Sequence, residues 1–179
     1  MNKYLKHDGW KIIEDGFIPA NNRASESIFS LGNGRMGQRA NFEEGYSGDS
    51  LLGNYIGGIY YPDKTKVGWW KNGYPEYYAK VLNAPNWIGI RIKVDGHDLD
   101  LAQCGVMDFV RILNMHQGYL ERSFRAVLPG NKIVQVRALR FLSIVDDETG
   151  NIRYLPPTVL GFAANLSSGL SSIRELGVV

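Results

Sequence analysis

Apolar and polar residues alternate along several separate stretches of this chain. Between residues 88 and 94 the apolar positions are every second residue, and after Asp95-Gly96 the apolar Leu99 and Leu101 alternate with acidic residues. A period of two is typical of a strand with one buried face. Asp-Gly between two such runs is a signal for a tight turn, so residues 88–101 are predicted to form a β-hairpin.

Further strands are predicted in the second half of the chain. The stretches 118–128, 131–145 and 151–155 are rich in β-branched and aromatic residues, and turn residues separate them at 129–131 and 146–150. The acidic residues Asp146, Asp147 and Glu148 lie in the second of these turns, where exposure to solvent explains them without a metal ion. Many short strands separated by glycine-containing turns predict an all-β fold, an antiparallel β-sandwich.

The stretch from Ser30 to Gly45 allows two interpretations. Its pattern G-x-G-x-x-G, formed by Gly32, Gly34 and Gly37, is that of a dinucleotide-binding turn. Such a turn must be followed by a helix, but residues 36–42 alternate between polar and apolar as a strand does. Residues 26–31 also favour a strand, and Asn33-Gly34 can adopt positive φ at both positions of a tight turn. The glycines are therefore predicted to form a hairpin.

Composition limits the class of protein. The chain has 179 residues and is 44% hydrophobic, which is enough for one sizeable core. Its 20 Lys and Arg residues nearly balance 18 Asp and Glu, so we expect neither nucleic acid nor a membrane as partner. The single cysteine, Cys104, cannot form an internal disulfide, and there is no long apolar run. We expect a cytoplasmic protein.

The residues with catalytic chemistry do not form a recognisable constellation. Glu43 and Glu44 are adjacent, so in a strand they would point to opposite faces and could not form a facing pair. Asp98 and Asp100 are expected on the solvated face of their hairpin. The three histidines, which we assign no role, are His7, His97 and His116. The sequence therefore predicts no catalytic residue, no metal site and no cofactor.

Aromatic residues are concentrated between residues 63 and 87. This segment alternates poorly and is predicted to be a long excursion between strands, with a helical turn from Glu76 to Leu82. Its rings could bind the apolar face of a sugar, or they could pack in the core or against another domain. The substrate-binding candidates are Trp69, Trp70, Tyr78, Asn86 and Trp87.

Several motifs in one order resemble the N-terminal region of glycoside hydrolase family 65. They are ESIFSLGNG from Glu26, GQRANFEEG from Gly37, LNAPNW from Leu82, IGIRIKVDG from Ile88, and the pattern DxxRxLxMxxGxLxR from Asp108 to Arg122. The resemblance extends from Trp10 to Tyr154. That family includes maltose, trehalose and kojibiose phosphorylases, and the chain resembles its maltose phosphorylase type.

The resemblance implies a β-sandwich of the supersandwich kind and a reaction carried out elsewhere. Family members cleave an α-glucosidic disaccharide with inorganic phosphate as co-substrate, giving β-glucose 1-phosphate and glucose with inversion. Their general-acid glutamate and phosphate-binding groups belong to an (α/α)6 barrel after the sandwich, so no catalytic residue is carried onto this chain. The implied partners are that barrel, a second subunit in a homodimer, and the α-glucoside itself.

The end of the chain departs from the family pattern. Residues 1–154 are assigned to the sandwich, whereas 155–179 form an atypical tail with a Pro-Pro break and a Ser- and Gly-rich segment. We expect a truncated domain with a break in the reading frame after Tyr154, and no catalytic barrel. Two functions follow: a non-catalytic N-terminal domain of a disaccharide phosphorylase, or a stand-alone carbohydrate-binding module.

Overall fold

A computed structural model describes residues 4–66 and 73–159, with the side chains of 155–159 left out, and consists mainly of antiparallel strands. The elements are β1 (Leu5–Asp8), β2 (Lys11–Asp15), a 3-10 helix (Pro19–Asn21), α1 (Asn22–Ile28), β3 (Leu31–Gly32), β4 (Met36–Gln38), β5 (Asn54–Ile56), β6 (Tyr60–Lys64), β7 (Tyr77–Val81), β8 (Lys93–Val94), β9 (His97–Asp98), β10 (Gly105–Asn114), β11 (Tyr119–Leu128), β12 (Lys132–Leu142) and β13 (Gly150–Val159). The predicted all-β antiparallel class is confirmed.

The largest sheet has six strands in the order β1-β2-β10-β11-β12-β13. Strand β11 buries every second side chain, from Leu120 to Leu128, as its alternating sequence predicts. A register shift between Met107 and Val110 marks a bulge in β10, where Asp108 has a φ of +50°. The buried face of this sheet provides most of the hydrophobic core.

The second layer of the core consists of small sheets and loops. Three strands pair in the order β3-β4-β5, while β6-β7 and β8-β9 are two-stranded hairpins. Phe42, Ile92, Val94, Leu99 and Leu101 from this layer pack against Phe109, Phe124 and Val136 of the large sheet. Two layers around one core are what the sandwich prediction requires.

The predicted turns occur where expected. Asp95 and Gly96, with φ of +49° and +82°, join β8 to β9, and 129–131 join β11 to β12. At the glycine-rich stretch, β3 pairs antiparallel with β4, which confirms the hairpin. Its connection spans three residues, 33–35, and Gly34 alone of them has a positive φ, at +91°.

Two local predictions are wrong. Residues 26–31 do not form a strand, because α1 extends to Ile28 and β3 begins only at Leu31. The buried side of α1 carries Asn22, Ser25 and Glu26, which have the helical spacing i, i+3 and i+4. Because these residues are polar, the pattern of apolar residues does not reveal the helix.

The second error lies in the aromatic segment. Residues 77–81 form strand β7, paired with β6, instead of the expected helical turn at 76–82. The segment therefore contributes strand β7 to a two-stranded hairpin. Pro62 lies within β6, which is compatible with a two-stranded sheet because both of its strands are edges.

Strand β13 extends to Val159, five residues beyond Tyr154. The division of the chain at 154 was inferred from sequence composition and stays a prediction. Residues 160–179, most of the predicted tail, lie outside the described residues.

No helix within the described ranges is long and apolar enough to cross a membrane.

Candidate functional site

Three arginines lie on the buried face of the large sheet, one on each of three neighbouring strands. Arg111 of β10 is directly opposite Arg122 of β11, and Arg140 follows on β12. All three are at most 3% exposed. Like charges placed opposite each other in a sheet repel, so buried carboxylates must compensate them. The compensating residues are Glu14, Glu43 and Glu44.

Arg122 forms the centre of this arginine–carboxylate cluster. Its Nη1 donates a hydrogen bond to Oε1 of Glu44, and its Nη2 donates to Oε2 of Glu44 at 2.7 Å and to Oε2 of Glu43. The guanidinium is thus bidentate towards Glu44 and bridges to Glu43. Planar bidentate pairing is the geometry in which arginine binds carboxylates most strongly.

The other two arginines complete the cluster. Nε of Arg140 lies 3.3 Å from Oε1 of Glu43, and its Nη2 donates to the carbonyl oxygen of Asn41 at 2.8 Å. Nε of Arg111 lies 3.3 Å from Oε2 of Glu14. These two Nε contacts are ion pairs without hydrogen-bond alignment. Each buried arginine therefore faces at least one buried carboxylate.

The ring of Phe42 contacts two of the cations. Its ring centroid is 5.0 Å from the guanidinium carbon of Arg111 and 4.8 Å from that of Arg122. Stacking of guanidinium groups on a ring is favourable, and more so when water is excluded. The ring also packs edge-on to Phe17 and Tyr46, which joins the cluster to the hydrophobic core.

The segment that carries these groups is a loop fixed by side-chain hydrogen bonds. Asn41 donates to the carbonyl oxygen of Leu51 and accepts from the amide of Gly53. Oε2 of Glu26 in α1 accepts from the amide of Leu51 at 2.9 Å. The loop thereby presents residues 41–44 to the sheet.

The expectation for Glu43 and Glu44 is wrong. No strand is present at 41–50, and the two carboxylates converge on Arg122 instead of pointing to opposite faces. The alternation of strand side chains, on which the expectation rested, does not apply to a bend.

The cluster holds Glu43 in the ionised form. Burial by itself would raise the pKa of Glu43, but the charges of Arg140 and Arg122 outweigh burial and lower that pKa from 4.5 to about 2. Burial lowers the pKa of Arg111 to about 10, so this group also stays charged at neutral pH. A carboxylate with so low a pKa cannot act as a general acid near neutral pH. The arrangement is suited to fixing the loop on the sheet.

An open cleft lies beside the cluster, between residues 41–52 and 86–100. Its volume is about 790 Å³, and Asn86, Leu52 and Ile90 are among its lining residues. The backbone amide of Ile90 donates to the carbonyl oxygen of Glu43 at 2.6 Å, which ties the two walls together. Volumes of this size are typical of small-molecule sites.

The five predicted substrate-binding residues have different surroundings. Oδ1 of Asn86 accepts hydrogen bonds from Asn54 and from the amide of Ile88. The ring of Trp87 packs over Gly150, since a Cβ added to Gly150 would lie 2.6 Å from the ring. Trp87 as a whole is 38% exposed. Tyr78 is exposed on β7, and Trp69 and Trp70 lie outside the described residues. Sugar binding by these residues stays a prediction.

The acidic residues of the predicted hairpins have structural partners. Asp98 is exposed and forms a bidentate pair with Arg91, whose Nε and Nη2 lie 3.0 and 3.2 Å from it. Asp100 is partly buried and accepts from the backbone amides of Ser47 and Ala102, so it organises a loop. Within residues 4–66 and 73–159, no group of three or more His, Cys, Asp and Glu side chains is placed to hold a metal ion.

Sequence reasoning missed the three buried arginines. One signal was present: in the stretch from Leu120 to Phe124, Arg122 occupies the same phase of the alternation as the two apolar residues. A charge in the apolar phase of a strand predicts a buried ion pair. Its partners could not be identified, because Glu43 and Glu44 precede it by 79 and 78 residues.

Comparison with known families and proteins gives a consistent result. A family model described as glycosyl hydrolase family 65, N-terminal domain, matches residues 12–163. Maltose phosphorylase of Bacillus subtilis (strain 168) is 50% identical over 156 residues, which are 87% of this chain and 20% of that protein. Alpha,alpha-trehalose phosphorylase of Thermoanaerobacter brockii is 34% identical over 176 residues, 94% of this chain and 23% of that protein.

Two further matches agree. Kojibiose phosphorylase of Thermoanaerobacter brockii is 33% identical over 146 residues, 82% of this chain and 17% of that protein. A solved structure, provisionally named a kojibiose phosphorylase from the human microbiome, is 34% identical with a TM-score of 0.74 and covers 83% of this chain and 20% of its own. The chain spans about a fifth of the length of these relatives.

Proposed function

The chain belongs to the N-terminal domain family of glycosyl hydrolase family 65, and from this premise we propose that it is a non-catalytic domain of a disaccharide phosphorylase. The parent activity is the cleavage of maltose or a related α-glucoside by inorganic phosphate, with β-glucose 1-phosphate and glucose as products. Phosphate is a co-substrate there, and no other cofactor is proposed. A cytoplasmic location and a homodimer stay predictions from the sequence.

The state of Glu43 and Arg122 supports the non-catalytic role. Phosphorolysis needs a carboxylic acid that can protonate the departing sugar oxygen, together with cationic groups free to bind phosphate. Here the pKa of Glu43 is about 2, and the guanidinium of Arg122 is occupied by Glu43 and Glu44. Neither Glu43 nor Arg122 is therefore available for these two functions.

The proposal is tested by joining this chain to the remaining residues of Bacillus subtilis maltose phosphorylase, in place of the matching fifth of that enzyme. We expect no glucose 1-phosphate from maltose and phosphate with the chain alone, and measurable release with the chimera. Release by the chain alone would overturn the non-catalytic role. A folded chimera that is inactive on maltose, trehalose and kojibiose would overturn the parent activity.

One observation favours the alternative, a stand-alone carbohydrate-binding module. Asn86, a predicted binding residue, lines the cleft of about 790 Å³. Calorimetric titration of the chain with maltose and with glucose separates the two functions. A module would give a saturable heat with a dissociation constant in the millimolar range or below, whereas the proposed domain gives none.

A further inference from the structure

The β6–β7 hairpin is exposed along almost its whole length. Every side chain of β7 is exposed, and so are those of β6 except Asp63, which is partly buried. A two-stranded hairpin is marginally stable at best in water unless something packs on it. Within the described parts of the chain, the hairpin therefore lacks the cover that such elements need.

The two faces of the hairpin differ in character. One face combines Asp63 and Lys80, whose charged groups are 3.5 Å apart, with Tyr61 and with Tyr78, whose hydroxyl donates to Asp63. The other, which we call the apolar face, bears Tyr60, Pro62, Tyr77, Ala79 and Val81 and has a charged residue only at its end.

A cleft runs along the apolar face. It has a volume of about 330 Å³ and is closed on its other side by the β3–β4 turn and by residues 55–58. Tyr60 and Val81 remain 59% and 61% exposed beside it. Large exposed apolar side chains grouped next to a cleft mark a contact with another surface.

The geometry points to one occupant: we infer that the apolar face docks the part of a family 65 phosphorylase that lies beyond this domain. This inference rests on the proposed function. The chain spans about a fifth of its relatives' length, so four fifths of such an enzyme is available as a partner. A contact within one polypeptide requires little affinity because the two parts are tethered at high effective concentration.

A second copy of the chain fits the apolar face less well. The face consists of five side chains, whereas a stable interface between separate proteins takes roughly 20–30 residues from each side. An association held by this face alone would also have to overcome the loss of translational and rotational freedom. The tethered partner is therefore the better match for so small a surface.

Cysteine labelling tests the inference in the chimera described above. Val81→Cys reports on the apolar face and Lys80→Cys on the charged face, and both residues are exposed in this chain. Both variants also carry Cys104→Ser, so that the introduced cysteine is the one that reacts. The extent of labelling after a maleimide pulse is measured by peptide mass spectrometry. We expect Val81→Cys to react at least ten-fold more slowly in the chimera than in the chain alone, and Lys80→Cys to react similarly in both.

Two outcomes overturn the inference. Equal reactivity of Val81→Cys in chain and chimera means that nothing docks there, and slowing in the chain alone as its concentration rises identifies a second copy. If the chimera does not fold, the aligned positions of the full-length Bacillus subtilis enzyme carry the same pair of variants. An active chimera without protection overturns only this inference, while protection without activity overturns only the proposed function.

Discussion

The buried face of the large sheet and the β6–β7 hairpin reverse the usual distribution of residues. The sheet buries Arg111, Arg122 and Arg140, whereas the hairpin exposes Tyr60 and Tyr77. The arginines are tolerated inside because each faces a carboxylate in the same closed cluster. The exposed tyrosines have no corresponding partners within the described residues. A buried charge and an exposed ring each need a matching environment. This rule assigns a structural role to the arginine–carboxylate cluster and a contact role to the hairpin.

The two regions also differ in how they respond to substitution. In the cluster, removal of one charge leaves its partner buried without compensation, which costs more free energy than the pair itself provides. In the hairpin, removal of an exposed ring changes little in the chain alone.

The largest effect is expected for Arg122→Met, which removes the guanidinium shared by Glu43 and Glu44. The two carboxylates remain buried, and the free energy of unfolding should fall by about 3–5 kcal/mol. Urea denaturation followed by tryptophan fluorescence measures this loss.

The matched control is Arg137→Met on the neighbouring strand. Arg137 pairs with Glu121, but its side chain is 56% exposed, so the expected loss is below about 1 kcal/mol. Equal losses for the two variants would show that the cluster is not a special region of the fold.

The second effect is the acid sensitivity of the cluster. The pKa of Glu43 is lowered in the folded state to about 2, so this group stabilises the fold above its ordinary value of 4.5 and its contribution disappears as the pH falls towards 2. A difference of this size corresponds to about 3 kcal/mol of stability lost between about pH 5 and pH 2. Urea denaturation at a series of pH values measures the slope.

Glu43→Gln is the control for this pH dependence. The amide cannot titrate, so the variant should be less stable at pH 7 but should lose less stability on acidification. An unchanged slope in Glu43→Gln would assign the acid sensitivity to other carboxylates.

Features controlled by local sequence could be predicted, and features controlled by distant partners could not. The turns at Gly34 and Gly96 were identified because a short glycine-containing sequence determines the backbone angles there. Strand β11 followed from its alternation. These signals are complete within about ten residues.

The errors arise where tertiary contacts decide the local structure. The helix α1 was missed because Glu26 and Asn22 make its buried face polar, and their hydrogen bonds to the 49–51 region join positions far apart in sequence. Glu43 and Glu44 were misjudged for the same reason, since Arg122 holds them in a bend. The family itself was recognisable because several of its motifs occur in one order along the chain, and two of them contain Glu43, Glu44 and Arg122.

The third effect tests a turn at the rim of the domain. Gly34 has a φ of +91°, so Gly34→Ala should lower the free energy of unfolding by about 1 kcal/mol. Gly37→Ala is the control, because Gly37 does not have a positive φ and its added Cβ would make an ordinary contact with Tyr55 at 3.9 Å. Thermal unfolding should separate the two variants by several degrees, and identical midpoints would contradict the assigned turn.

The smallest effect is expected in the hairpin. Tyr60→Ser and Tyr61→Ser replace rings on its two faces that are 59% and 57% exposed, and each should change the unfolding free energy of the chain by less than about 0.5 kcal/mol. Phe124→Ala, at a ring that is 1% exposed, should instead cost about 3–5 kcal/mol. A loss above 1 kcal/mol for Tyr60→Ser alone, measured by urea denaturation of the isolated chain, would mean that its ring is already covered there, and the contrast between cluster and hairpin would fail.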